Sequence, residues 1–108
     1  MIYNLNQIES KEIIPGFKGK FVHGAEMTIA SWTVEKGACL PEHSHVHEQI
    51  TKVVKGTFEM ILDSKKVVLQ EGMVVSIPSN TKHSGIALTD CIITDVFSPA
   101  RPEYNNDL

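Results

Sequence analysis

Apolar and polar residues alternate along most of this chain, in short runs broken by Gly, Pro, Asn and Asp. Alternation with a period of two marks a strand with one buried face, and segments of helical period are hard to find. Thr28, Ala30, Trp32 and Val34 share one face of a run over 26–34. Cys91, Ile93, Asp95 and Phe97 share one face of a run over 91–97. Further strands are predicted over 17–23, 57–62, 66–69, 74–77 and 83–88. Another starts at Pro41 and runs through Gln49, Thr51 and Val53 to a turn at Lys55-Gly56. Turn signals recur about every eight to twelve residues, the spacing of an all-β sandwich or barrel. About eight or nine short strands with almost no helix must close into a barrel or double sheet to hide their edges.

At 108 residues the chain holds one domain, 1–108. The strands occupy about 17–97, and the Pro- and Asn-containing tail 98–108 is expected to cross the surface as an extended arm. Hydrophobic residues make up 42% and charged residues 21%, with a net charge of −3. That balance carries no basic excess for nucleic acid and no cationic run for a membrane surface. No apolar run approaches the roughly 20 residues of a membrane span. The N-terminus lacks the basic start and apolar core of a signal peptide, so a cytoplasmic location is expected. In that compartment Cys39 and Cys91 are expected as two reduced core thiols.

The richest chemistry lies between His43 and Gln49, which holds three of the five histidines. In a strand, His43 and His45 leave on the same face and can converge on one cation. Gln49 shares their parity and Glu48 does not, and His83 lies in a later strand. The chain must turn near Val46 to bring Gln49 to His43 and His45, so His47 reads as a rim or hydrogen-bonding residue, and His23 as a residue of the strand surface or pocket wall.

These residues resemble the cupin family. Its first motif is matched by Gly37, His43, His45, Gln49 in place of the usual Glu, and Gly56. Its second is matched by Gly72, Pro78, Asn80 in place of Gly, His83, and Ala87 in place of Asn. The resemblance implies a double-stranded β-helix, the jelly-roll barrel, with a metal held by His43, His45, Gln49 and His83. A set of neutral imidazoles and one amide would leave the charge of a divalent ion uncompensated. That strengthens it as a Lewis acid and as a partner for an anionic substrate. Mn, Fe, Ni and Zn all suit such ligands.

A second cluster ends the strand region. An ionised Asp95 among apolar neighbours is costly unless paired or functional. A structural ion pair with Arg101 is one reading of it. The run Asp95, Phe97, Ser98, Pro99, Arg101 resembles the KdgF-type cupins of pectin and alginate degradation. That resemblance implies catalytic roles for Asp95, Phe97 and Arg101 in opening 4,5-unsaturated monouronates to linear 4-deoxy-5-keto uronates. It also implies a homodimer, for which apolar residues on both faces of the last strand, such as Ile92, Ile93, Thr94 and Val96, offer some support. Two other readings stand beside it: a different metal-cupin dioxygenase or isomerase acting on a small acid, and a non-catalytic sugar- or acid-binding module. Lys18 and Lys20 are further candidates to reach the pocket.

Overall fold

The computed structural model describes residues 1–104. These residues form ten strands: β1 Lys11–Ile14, β2 Phe17–His23, β3 Thr28–Val34, β4 Cys39–His43, β5 Glu48–Lys55, β6 Phe58–Leu62, β7 Lys65–Leu69, β8 Val74–Ile77, β9 His83–Ala87 and β10 Cys91–Ser98. Among the described residues there is no α-helix, only two 3-10 turns, Leu5–Gln7 and Pro102–Tyr104. A six-stranded sheet runs β1-β2-β3-β10-β5-β8 and a four-stranded sheet runs β4-β9-β6-β7. Every pairing is antiparallel. This is the expected jelly roll. β1 escapes the sequence pattern because Lys11, Glu12, Ile13 and Ile14 do not alternate; it is a short edge strand laid on β2.

Alternation decides which side chains fill the space between the sheets. Thr28, Ala30, Trp32 and Val34 are buried on β3, and Cys91, Ile93, Asp95 and Phe97 on β10. Antiparallel registers align these positions into rows. One inner row crosses five strands as His23, Thr28, Phe97, Gln49 and Ile77. The next carries Phe21, Ala30, Asp95 and Thr51. Polar residues in these two rows form one side of the site, and Phe17, Phe58, Met60 and Ile93 form an apolar floor.

Two positions show how the backbone makes room. Gly19 faces Trp32 across the β2–β3 pair. A Cβ there would lie 2.5 Å from Phe21 Cζ and 2.8 Å from Trp32 Cζ3, so only glycine lets the two rings pack edge to face at 5.2 Å. Asn80, which stands where the second cupin motif has Gly, adopts φ 63. Asparagine tolerates that left-handed conformation better than most residues, so the turn survives the exchange.

Three expectations need correction. The turn expected near Val46 is present, but it divides the His43–Gln49 segment between two sheets: β4 ends at His43, the chain bends at 46–47, and β5 starts in the other sheet. Cys39 is exposed, so only Cys91 is a core thiol. The tail does not simply cross the surface, since Tyr104 packs onto the core through Phe21 and Trp32. Its last four residues, 105–108, lie outside the described residues.

Replacing Gly19 with Ala should overpack the Phe21–Trp32 contact and cost about 1–3 kcal/mol in urea denaturation. An unchanged midpoint would show that the rings shift freely.

Candidate metal centre and anion pocket

The segment 44–47 carries the chain from the four-stranded sheet to the six-stranded one, and the site sits at that crossing. His43 at the end of β4 is paired with His83 at the start of β9. His45 lies in this segment, and Gln49 enters from β5. The three imidazoles gather with ring centroids 5.6 Å apart for His43–His45, 4.2 Å for His43–His83 and 5.1 Å for His45–His83. Their nearest ligand atoms all lie within 4.8 Å of one another.

Hydrogen bonding fixes which nitrogen faces inward. The Nδ1 atoms of His43, His45 and His83 lie 2.8, 3.0 and 2.9 Å from the carbonyl oxygens of Pro41, His47 and Thr81. A carbonyl can only accept, so each Nδ1 carries the proton and each Nε2 presents a lone pair. Gln49 is oriented just as firmly. Its Nε2 donates to Thr51 Oγ1 at 2.9 Å and to Asp95 Oδ1 at 3.2 Å, which turns Oε1 toward the histidines. Gln49 Oε1 then lies 3.1 Å from His45 Nε2, an acceptor facing an acceptor. His83 Nε2 is buried with no hydrogen-bond partner. Four lone-pair atoms converging without a donor among them are the arrangement a cation satisfies, and backbone carbonyls behind ligating histidines are the usual outer support. The residues present therefore fit a divalent transition metal with a nitrogen-rich ligand set.

Electrostatics keep two of the three rings neutral. Burial, aided by the positive charge of Arg101, lowers the His45 pKa from 6.5 to about 4. His83 is also lowered, again chiefly by burial. Both rings are thus unprotonated at neutral pH, the form that ligates.

Behind Gln49 sits Asp95, buried on β10. Its Oδ1 accepts from Thr51 Oγ1 at 2.5 Å and from Gln49, and its Oδ2 accepts from the Trp32 indole N–H at 2.9 Å. Burial raises its pKa, while these hydrogen bonds and the charge of Arg101 pull it back. The alternative of an Asp95–Arg101 ion pair is not what the structure shows. Arg101 Nε donates to Glu103 Oε2 at 3.1 Å instead. The guanidinium lies over the Phe97 ring at 4.8 Å and the Tyr104 ring at 4.3 Å. Phe97 in turn meets His45 edge-on at 5.9 Å.

A cavity of about 280 Å³ brings these groups together, lined among others by His43, His83, Gln49, Asp95, Phe97 and Arg101. Six of the seven metal-binding and catalytic candidates line this space, and the seventh, His45, stands beside it against Phe97 and Gln49. Trp32, Thr51 and Tyr104 also bear on it and were not foreseen as site residues. Thr51 shares strand parity with Gln49 and so was findable; Trp32 and Tyr104 needed the pairing register and the path of the tail. His47 lies at the rim beside Phe97, with ring centroids 6.3 Å apart. Lys20 donates to the Leu5 carbonyl at 2.9 Å, and Lys18 is exposed, so neither lines the pocket.

In the metal-free protein the His45 ring should titrate near pH 4 by NMR. Because that value lies below the ordinary 6.5, the stability it contributes is present above 6.5 and is lost as pH falls toward 4. A His45 midpoint at or above 6.5 would contradict the burial described here.

Comparison with known proteins agrees with this fold. A cupin-domain family profile matches residues 30–97. The chain is similar to the pectin degradation protein KdgF of Dickeya dadantii, at 28% identity over 97 residues, covering 87% of this chain and 88% of that protein. Its structure is similar to that of KdgF from Halomonas sp., with a TM-score of 0.90, 29% identity and coverage of 95% and 96% of the two chains. It is also similar to an RmlC-like cupin from Shewanella frigidimarina, with a TM-score of 0.87, 31% identity and coverage of 92% and 90%. The two motifs, the double sheet they hold together and the profile match place this chain in the cupin family.

Proposed function

We propose that this protein is a metal-dependent cupin enzyme that converts 4,5-unsaturated monouronates, fragments of pectin or alginate, into linear 4-deoxy-5-keto uronates. The observation that carries the reading is the meeting of four converging lone-pair atoms, a buried carboxyl and an arginine in one cavity of about 280 Å³. A relative named for pectin degradation supports the substrate class.

The reaction is an isomerisation, with nothing added or lost. The C1–O5 bond breaks, C1 becomes an aldehyde, and the proton that leaves the C1 hydroxyl is balanced by one delivered to C4. A bound divalent ion held by His43, His45, Gln49 and His83 would supply Lewis acidity where negative charge develops on oxygen. Arg101 binds the substrate carboxylate through its terminal nitrogens, since its Nε is already given to Glu103. Phe97 supports the guanidinium from below and walls the sugar ring. Asp95 carries the proton between hydroxyl and carbon. Burial raises its pKa, which suits a group that must both accept and release a proton. Trp32 and Thr51 hold its two oxygens, leaving Oδ2 a lone pair for the substrate.

A homodimer is part of the same proposal. The outer face of the six-stranded sheet carries a row of Val22, Ile29, Val96 and Ile50 across four strands. Ile29, Ile50 and nearby Ile92 and Val74 are exposed in the single chain. A second copy laid on this face would remove them from water.

Three measurements test these points. Loss of the conjugated ultraviolet absorbance of unsaturated galacturonate should accelerate with the metal-loaded protein and return to the spontaneous rate after chelation, with no oxygen consumed. Asp95→Asn and Arg101→Ala should each lower kcat/KM by about 10²-fold or more while the fold is kept; wild-type rates in either would reject the role assigned. Light scattering should give twice the chain mass, and Ile50→Glu should return it to one chain; a wild-type monomer would remove the dimer.

A further inference from the structure

His23 takes no part in the metal set, yet it lies in the same inner row of the sheet as Thr28, Phe97 and Gln49. Both of its ring nitrogens are used. Nε2 lies 3.0 Å from the backbone carbonyl oxygen of Tyr104, and Nδ1 lies 2.8 Å from Thr28 Oγ1. The carbonyl can only accept, so Nε2 carries a proton and donates to it, and in that tautomer Nδ1 is a bare acceptor. The Thr28 hydroxyl therefore donates to His23, and its oxygen accepts the backbone N–H of Arg101 at 2.8 Å. Thr28 is fully buried, so this pairing is shielded from water.

The two bonds grip a short segment at both ends. Arg101 is held by its N–H and Tyr104 by its carbonyl, and between them the Pro102–Tyr104 turn closes through the Tyr104 N–H to the Arg101 carbonyl at 3.0 Å. What the segment carries is the anion-binding apparatus. The Tyr104 ring stacks on Phe21 at 4.8 Å, meets Trp32 edge-on at 5.7 Å and supports the Arg101 guanidinium at 4.3 Å. Glu103 on the same turn holds Arg101 Nε.

We propose that His23, acting with Thr28, is a positioning residue that latches residues 101–104 onto the inner sheet and so sets where Arg101 points. The latch itself is independent of the substrate; its kinetic consequence rests on the reading of Arg101 as the carboxylate clamp. His23→Phe removes both bonds while keeping a ring in place, and Thr28→Val removes the relay. His23→Gln keeps an N–H for the Tyr104 carbonyl.

Trp32 is the only tryptophan, so its emission reports on this contact without any ligand. In His23→Phe and Thr28→Val, emission should shift to the red and acrylamide quenching should rise as Tyr104 leaves the indole. His23→Gln should restore most of the wild-type signal. With unsaturated galacturonate as substrate, the same two variants should raise KM far more than they lower kcat, for a loss in kcat/KM of about 10- to 100-fold. Their metal content should be unchanged. In an Arg101→Ala background, His23→Phe should add no further loss of kcat/KM.

Wild-type emission and quenching in both His23→Phe and Thr28→Val would overturn the latch, whether or not the uronate is turned over. A full additional loss in the Arg101→Ala background would overturn the positioning of Arg101 and leave His23 a packing residue. Should His23→Phe fail to fold, Thr28→Val and His23→Gln carry the same decision. A wild-type protein inert to the uronate counts against the proposed reaction, and the fluorescence then decides the latch alone.

Discussion

The arrangement of the whole site depends on one side-chain amide. Gln49 has a donor end and an acceptor end, and the fold uses each for a different purpose. The NH₂ group is bound by Thr51 and Asp95, so the carbonyl has only one way to face. A carboxylate at this position would set a second negative charge against Asp95 with no proton between them. The departure from the usual cupin Glu and the buried Asp95 are therefore two halves of one solution. Removing either would strand a buried polar group, at a cost of about 1–3 kcal/mol.

That coupling also changes the charge of the centre. Taken alone, three imidazoles and an amide leave a divalent ion uncompensated. With the sheets assembled, Asp95 stands directly behind the amide, one hydrogen bond from a candidate ligand. The carboxyl is thus kept out of the candidate ligand set but close to it. Arg101 contributes the opposite sign, and its influence reaches His45, His83 and Asp95 alike. The pocket is polar at this end and apolar at the end formed by Phe58, Met60 and Ile93.

Strand parity made much of this legible. Alternation assigned Asp95 and Phe97 to the inner face, and the inner row of β5 followed from Gln49 and Thr51. Parity misled at the histidines themselves. His43 and His45 do converge, but through a bend between two sheets rather than along one strand. The same two-residue spacing suits both geometries, because a short bend can turn successive side chains inward as well as a pleat can. The tail was misread for a different reason. Its apolar content is low, but one well-placed ring, Tyr104, and two backbone hydrogen bonds suffice to seat it.

The order of residues along the chain determined by itself the all-β class, the two motifs and the identity of the metal-binding candidates, because period, turn chemistry and ligand type are local properties. It could not determine which rows the strands would form, since register is a relation between segments far apart in sequence. Only the closed double sheet placed Trp32 and Thr51 on the two oxygens of Asp95. Only the docked tail gave Arg101 to Glu103 and two aromatic rings in place of Asp95. Those partners were settled by distance across the barrel, which no spacing along the chain records.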